Sequence, residues 1–442
     1  MSLTDRLRGI VHPGGSAPRN PPYVRRPGPA SGSSADPAAT GHASGSAADP
    51  ADTLGGEWRD VRGHRYLLVD RTYAPGHRHG RMAVADGLPG SDGWPHLHLL
   101  TTPGECAPPG SRLLFFDLET TGLAGGAGTC AFLVGCGWFD GASFRVRQFF
   151  LAGYGGEIAL LEGVAEIARS AGALVTYNGK TFDLPLIETR YLFHRLQTPF
   201  AGVPHIDMLH PARRLWRGEP DSADAVSACR LTTLERAQLG HCREDDVPGF
   251  EIPSRYFHFV RTGDARPLDA VLEHNRQDLL ALAMVTARAA QLLEEGAPGA
   301  RTARQAIGLG RLYERGGLVA EARACFARAA GMPGADAGTR GEALRACAVL
   351  CRRARRYDEA AGAWRRLLDL RPCPPPHLVR EAAEALAVHH EHRVRDLPAA
   401  RRFAVQSLQL DLSRRRAESL HYRLARLDRK LGAPVCRPAP LF

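Results

Sequence analysis

The segment Leu113-Leu114-Phe115-Phe116-Asp117-Leu118-Glu119-Thr120 sets two carboxylates at the end of a strand built for a core. Four large apolar residues in a row read as a strand covered on both faces. Side chains alternate along a strand, so Asp117 and Glu119 share one face and Leu118 takes the other. Like charges that close repel, and burying an ionised carboxylate without a partner costs on the order of several kcal/mol. Either the strand end is solvated or the two acids are half of a cation site.

The surrounding pattern is α/β. Residues 112–152 read as three strands, RLLFFDLET, TCAFLVGCGWF and SFRVRQFFLA, with the glycine-rich turn GLAGGAGT between the first two. No Lys-Ser/Thr follows those glycines, so the turn is not a phosphate-binding P-loop. A helix near 156–171, a fourth strand ALVTYN, a helix from about Leu184 and a short fifth strand VPHIDML come next. This order predicts a mixed five-stranded sheet flanked by helices over 111–296. Residues 267–295 form the longest clear helix. Its apolar stripe includes Val271, Leu282 and Val285, yet carries Asp278, with His274 one turn earlier on the same side. If the first and fourth strands are neighbours, Asp117, Glu119, Asp183 and Asp278 meet at one edge of the sheet. Four hard oxygen donors suit Mg²⁺ or Mn²⁺. Two such ions, about 3.5–4 Å apart, can activate a water and stabilise the leaving oxygen of a phosphodiester.

Flanking regions differ in character. Residues 1–53 are rich in Ser, Gly, Ala, Pro and Asp and read as a disordered tail. Residues 54–110 read as a small β-rich subdomain, where His77 and His79 fall on one face as a polar strand edge or a metal pair. Residues 300–434 are helical throughout. Leu309, Gly310, Tyr313, Ala322, Phe326 and Ala329 have the spacing of a tetratricopeptide repeat, with weaker copies following.

Composition narrows the setting. No apolar run is long enough for a membrane span, and the N-terminus lacks the apolar stretch of a signal peptide. The ten cysteines include no C-x-x-C pair; they read as reduced thiols of a cytoplasmic protein. Residues 301–442 carry 28 basic and 14 acidic residues, against 29 and 33 in residues 1–300. A basic segment beside an acidic one suggests a polyanionic partner, nucleic acid first. Arg352, Arg353, Arg355 and Arg356 form one cluster there, and Arg414, Arg415 and Arg416 another. They are expected either to hold nucleic acid or to form a solvated face beside a surface that docks a protein.

At FFDLETTGLAGGAGTCAFLVG, LVTYNGKTFDLPLIETR, HIDMLHPARRLW, LTTLERAQLG, DDVPGFEIPSRYFHFVRTGD and HNRQDLLAL the chain resembles the DEDD superfamily of 3′–5′ exonucleases. More narrowly, it resembles the YprB family of ribonuclease H-like proteins, over roughly residues 54–295. The resemblance implies a ribonuclease H-like fold and a metal-dependent hydrolase acting on DNA or RNA. By position it makes Asp117, Glu119, Asp183 and Asp278 the ligands of two Mg²⁺ or Mn²⁺ ions. His274 departs from the superfamily pattern, which has a tyrosine four residues before the last aspartate or a histidine five before it. As the general base, His274 would orient or deprotonate the attacking water; otherwise it packs beside the site. Asn178 reads as support for the site, Phe182 as packing, and Asp207 as a neighbouring acid or a helix cap. Lys180 reads as a phosphate contact beside the site, and Arg213 and Arg214 either as phosphate contacts or as the outer face of their helix. A non-catalytic nucleic-acid adaptor that recruits proteins through its repeats, and a structure-specific endonuclease, are the alternatives.

Overall fold

The computed structural model describes residues 48–90, 93–102, 104–105, 110–122, 128–217, 229–410 and 414–432. Most of the tail read at 1–53 and part of the GLAGGAGT turn lie outside them. The last residues of that tail are helical: α1, Pro50–Leu54, starts at Asp49, whose side chain accepts the Ala51 N–H.

Seven strands form one mixed sheet. They are β1 (Glu57–Val61), β2 (His64–Tyr73), β5 (Leu113–Thr120), β6 (Ala131–Asp140), β7 (Ser143–Phe150), β8 (Ala173–Thr176) and β9 (His205–Asp207), in the order β1-β2-β7-β6-β5-β8-β9. A separate small hairpin is made by β3 (Arg78–His79) and β4 (Met82–Ala83). Antiparallel pairing runs from β1 to β5, and β8 and β9 add in parallel beside β5. The five strands read from the sequence are therefore joined by two more. The stretch read as a separate subdomain supplies β1 and β2, with Leu67 paired to Phe150 and Asp70 to Arg147. The physical reason lies in β2 itself. Tyr66, Leu67, Leu68 and Val69 are all buried, which a strand achieves only with a neighbour on each side and cover on both faces.

The same logic explains the apolar run of β5. Phe115 joins a core on one face of the sheet with Phe144, Val146 and Leu279. Leu114 and Phe116 join the opposite core with Phe132, Phe149 and Leu160. Helices α2 (Glu157–Ala168), α3 (Asp183–Phe193), α4 (Leu209–Leu215), α5 (Leu231–Leu234), α6 (Ile252–Thr262) and α7 (Asp269–Glu295) surround the sheet. Glu157 on α2 and Arg190 on α3 form a buried bidentate pair, both contacts 2.6 Å.

Helices α8 (Ala303–Arg315), α9 (Val319–Gly331), α10 (Ala337–Arg353), α11 (Tyr357–Leu368), α12 (Pro376–His389), α13 (Leu397–Leu408) and α14 (Arg414–Leu431) follow. Thr302, Asp336 and Asp396 cap α8, α10 and α13 through their side-chain oxygens. The core on the Phe115 face continues without a break through Leu309, Leu312 and Tyr313 to Trp364 and Leu386. Among the described residues no helix is long and apolar enough to cross a membrane.

Candidate active site

The acidic strand end is shaped by three neighbours. A register shift between Glu119 and Thr120 ends the regular pairing of β5 with β6, as bulges beside sites do. Thr121 closes the turn, its N–H donating to Cys130 O and its hydroxyl accepting from Cys130 N–H. Opposite Asp117 in the ladder stands Gly135. A Cβ there would lie 2.3 Å from Asn275 Oδ1, so only glycine admits the Asn275 side chain. Asn275 is fully buried on α7 and donates from Nδ2 to Asp117 Oδ2 at 2.7 Å. Gln148 Nε2 fixes the amide by donating to Asn275 Oδ1 and to Leu272 O.

Asp183 comes to the same place by a different route. The β8–α3 loop turns through Asn178 in the left-handed region, φ 64°. The Asp207 carboxylate gathers this loop by accepting the N–H of Asn178 (2.7 Å), Lys180 (3.1 Å) and Leu209 (3.1 Å). Asp207 thus ties the loop that carries Asp183 to the start of α4. Because β5 and β8 are adjacent and parallel, with Phe115 opposite Val175, the carboxylates leave the same end of the sheet.

Their electrostatics record the crowding. Burial pushes the Asp117 carboxyl well above its usual range, and the charges of Asp278, Glu119 and Asp183 add to this against the Asn275 hydrogen bond. Glu119 is pushed well up by burial and by Asp278, Asp183 and Asp246. Asp183 is pushed up to about 7, by burial first and then by Asp207 and Asp278, while backbone hydrogen bonds at Asp183 and Leu118 oppose the shift. These are half-buried carboxylates facing one another with too little positive charge between them. Hard oxygen donors that each disfavour the others' ionisation are the donor set that Mg²⁺ or Mn²⁺ fits.

The fourth acid has a partner absent from the sequence reading. Arg243, its side chain 5% exposed, donates to Asp278 Oδ1 at 2.5 Å, to Glu235 Oε2 at 2.7 Å and to Asp246 Oδ2 at 3.3 Å. Asp246 also holds His274: Nδ1 lies 2.6 Å from Asp246 Oδ1. A carboxylate only accepts, so Nδ1 carries the proton and Nε2 is left for other work, 3.7 Å from Asp278 Oδ2. Arg243 and Asp246 lie in CREDDVPG, a loop with no periodic signal; only the acid pair before a Val-Pro-Gly turn hinted at them.

Other expectations resolve as follows. The Lys180 ammonium is engaged by Thr102 and Glu105. Phe182, read as packing, is 55% exposed beside Asp183, because the residue before α3 turns outward as Asp183 turns in. His79 is buried at Glu235, Nε2 donating at 2.6 Å, and stacks on His241 at 4.1 Å. These three residues bring ligand atoms within 4.8 Å of one another. The second oxygen of Glu235 is already taken by Arg243, so the trio bolts the β3–β4 hairpin to the Arg243 segment. His77 is not one of the three; its ring packs against Tyr73, with centroids 4.7 Å apart.

Residues 114–290 match the model of the ribonuclease H superfamily. The protein YprB of Bacillus subtilis (strain 168) is 30% identical over 373 residues, which span 83% of this chain and 86% of that protein. The chain belongs to the YprB family. Its sheet, flanking helices and helical C-terminal region agree with that membership, and the ribonuclease H-like class is that of nucleases. The matched span of the superfamily takes in all four acids, His274 and Arg243.

Proposed function

We propose that this chain is a metal-dependent nuclease that hydrolyses phosphodiester bonds of nucleic acid, working as a 3′–5′ exonuclease on single-stranded ends. The observation that supports it most is the convergence of Asp117, Glu119, Asp183 and Asp278, with three of their carboxyls driven upward by burial and by one another. Such charge is costly unless cations neutralise it. These four residues would hold two Mg²⁺ or Mn²⁺ ions, which supply Lewis-acid polarisation of the phosphate and an acidified water.

The protein's own groups do the rest. Asn275 fixes the Asp117 carboxylate on the strand. Asp246 holds the tautomer of His274 in which Nε2 can accept a proton from the attacking water. Arg243 spans Asp246, Asp278 and Glu235, fixing the distance between the base and the acid it stands above. Phe182 offers an exposed ring beside the site on which a terminal base can stack.

The test is Mn²⁺-dependent cleavage of end-labelled single strands, DNA and RNA in parallel, beside a closed circle. Mononucleotides released from 3′ ends, with the circle intact, are the expected products. Cutting of the circle would assign the same site to an endonuclease.

A further inference from the structure

We propose that the arginine-lined cleft between α4 and α8 binds the phosphate backbone of the single strand whose end lies at the carboxylates. This inference rests on the nuclease reading above. The cleft has a volume of about 500 Å³ and is lined by His210, Arg213, Arg214, Arg217, Arg304 and Arg311, with Glu342 the one acid among the described residues of its wall.

Its construction is specific. Helix α8 crosses α4 at Gly308, where a Cβ would lie 1.8 Å from the Arg214 carbonyl oxygen. Any larger residue would hold the helices apart. That contact gathers arginines from α4 and its C-terminal end, within the nuclease fold, and from α8, the first helix of the C-terminal region. Neither segment alone makes the cleft.

Among the described residues little of this charge is compensated. Arg213, Arg214 and Arg217 make no ion pair with the described residues. Arg304 reaches Asp336 only at 3.9 Å, and Arg311 reaches Glu342 at 3.4 Å, both pairs being exposed. Several arginines elsewhere on the C-terminal helices do face carboxylates: Arg323 and Arg356 with Glu359, Arg345 with Glu381, Arg353 with Glu314, Arg401 with Asp428. A general excess of arginine explains a solvated face, whereas this concavity gathers five arginines against one described acid, a field that suits a polyanion. Planar guanidinium groups in a concave wall suit phosphate oxygens.

Position supplies the link to the site. Helix α4 starts two residues after Asp207, which gathers the loop bearing Asp183. Its seven residues rise about 10 Å at 1.5 Å each, so the arginines begin a short way along from the acids. On this proposal a strand whose end is seated at the carboxylates lays its next phosphates along α4 into the cleft.

The experiment compares the full-length chain with its Arg213→Gln/Arg217→Gln/Arg304→Gln variant; all three residues are exposed. A fluorescein-labelled 20-nucleotide single strand is titrated in EDTA across a series of salt concentrations, and a dinucleotide is digested in Mn²⁺. The variant is expected to bind at least tenfold more weakly at 0.1 M salt. Its log K against log salt should be shallower by about 2, because each phosphate of a single strand that an arginine neutralises adds about 0.7 to the slope. Dinucleotide cleavage should stay within twofold. An unchanged affinity and slope would overturn the proposal. So would an acidic peptide, polyglutamate, binding as tightly as the oligonucleotide with the same arginine dependence. A wild-type chain that cleaves nothing yet shows the arginine-dependent slope would refute the nuclease reading and leave the cleft standing.

Discussion

Asp183 provides the sharpest probe of the crowded carboxylates, because its pKa is moved from 3.8 to about 7. Folding raises the pKa, so between those values the folded state holds more protons than the unfolded chain. Stability in metal-free buffer must then fall as pH rises through this window, and be fully present only below pH 4. The displacement is about 3 pH units, and each unit is worth about 1.4 kcal/mol. Ionising this carboxyl therefore costs up to about 4 kcal/mol, a cost shared with the neighbouring acids that titrate with it. Asp183→Asn keeps an oxygen for the backbone hydrogen bonds and removes the charge. In EDTA the variant's Tm should lie nearest the wild type's at pH 4, pull away as pH rises, and exceed it by several degrees at pH 8. Added Mn²⁺ should raise the wild-type Tm at pH 8 and move the variant far less. Differential scanning calorimetry of both chains from pH 4 to 8 is the assay. Melting curves that stay parallel across that range would refute the reasoning.

Three further outcomes follow from the same contacts, and a fourth from the helix crossing. Asp246→Asn should lower kcat with little change in KM, since it loosens the hold on His274 without touching substrate. His274→Ala should lower the chemical step by roughly 10²–10⁴-fold and abolish the acid limb of the pH–rate profile; a profile that keeps its shape would make His274 a packing residue. Asn275→Leu should destabilise the chain by about 1–3 kcal/mol in urea titrations, because the buried Gln148 amide loses a partner. Gly308→Val should cost at least about 2 kcal/mol and shift a single unfolding transition, since α4 and α8 belong to one continuous core; two separated transitions would argue against that continuity.

What the sequence disclosed depended on whether an acid interrupted a pattern. Asp117, Glu119 and Asp278 stand out because each breaks an apolar strand or helix face, and Asp183 because it follows a strand at a turn. Asp246 and Arg243 were invisible by that test: in a loop any polar residue is ordinary, and only the fold brings Arg243 to Asp278. The pairing of β2 with β7 was equally hidden, because alternation says which residues are buried and not which strand lies alongside. The arginine clusters show the converse failure. Arg353 and Arg356 are prominent in sequence yet neutralised in space, and the side chains of Arg414 and Arg415 lie outside the described residues. Arg217 and Arg304 meet in a cleft although far apart along the chain. Removing 301–442 would open the core itself, because Leu309, Leu312 and Tyr313 complete it over the sheet.

The central claim is that the four acids form a metal-dependent catalytic centre, and Asp117 tests it most directly. Asp117→Asn leaves an oxygen and removes the charge at the one carboxylate that Asn275 fixes to the strand. The measurement is the rate of nucleotide release from an end-labelled single strand at saturating Mn²⁺, with circular dichroism confirming the fold of the variant. The account predicts loss of at least a thousandfold in rate with the fold intact. Release by the folded variant at a rate close to wild type would contradict it.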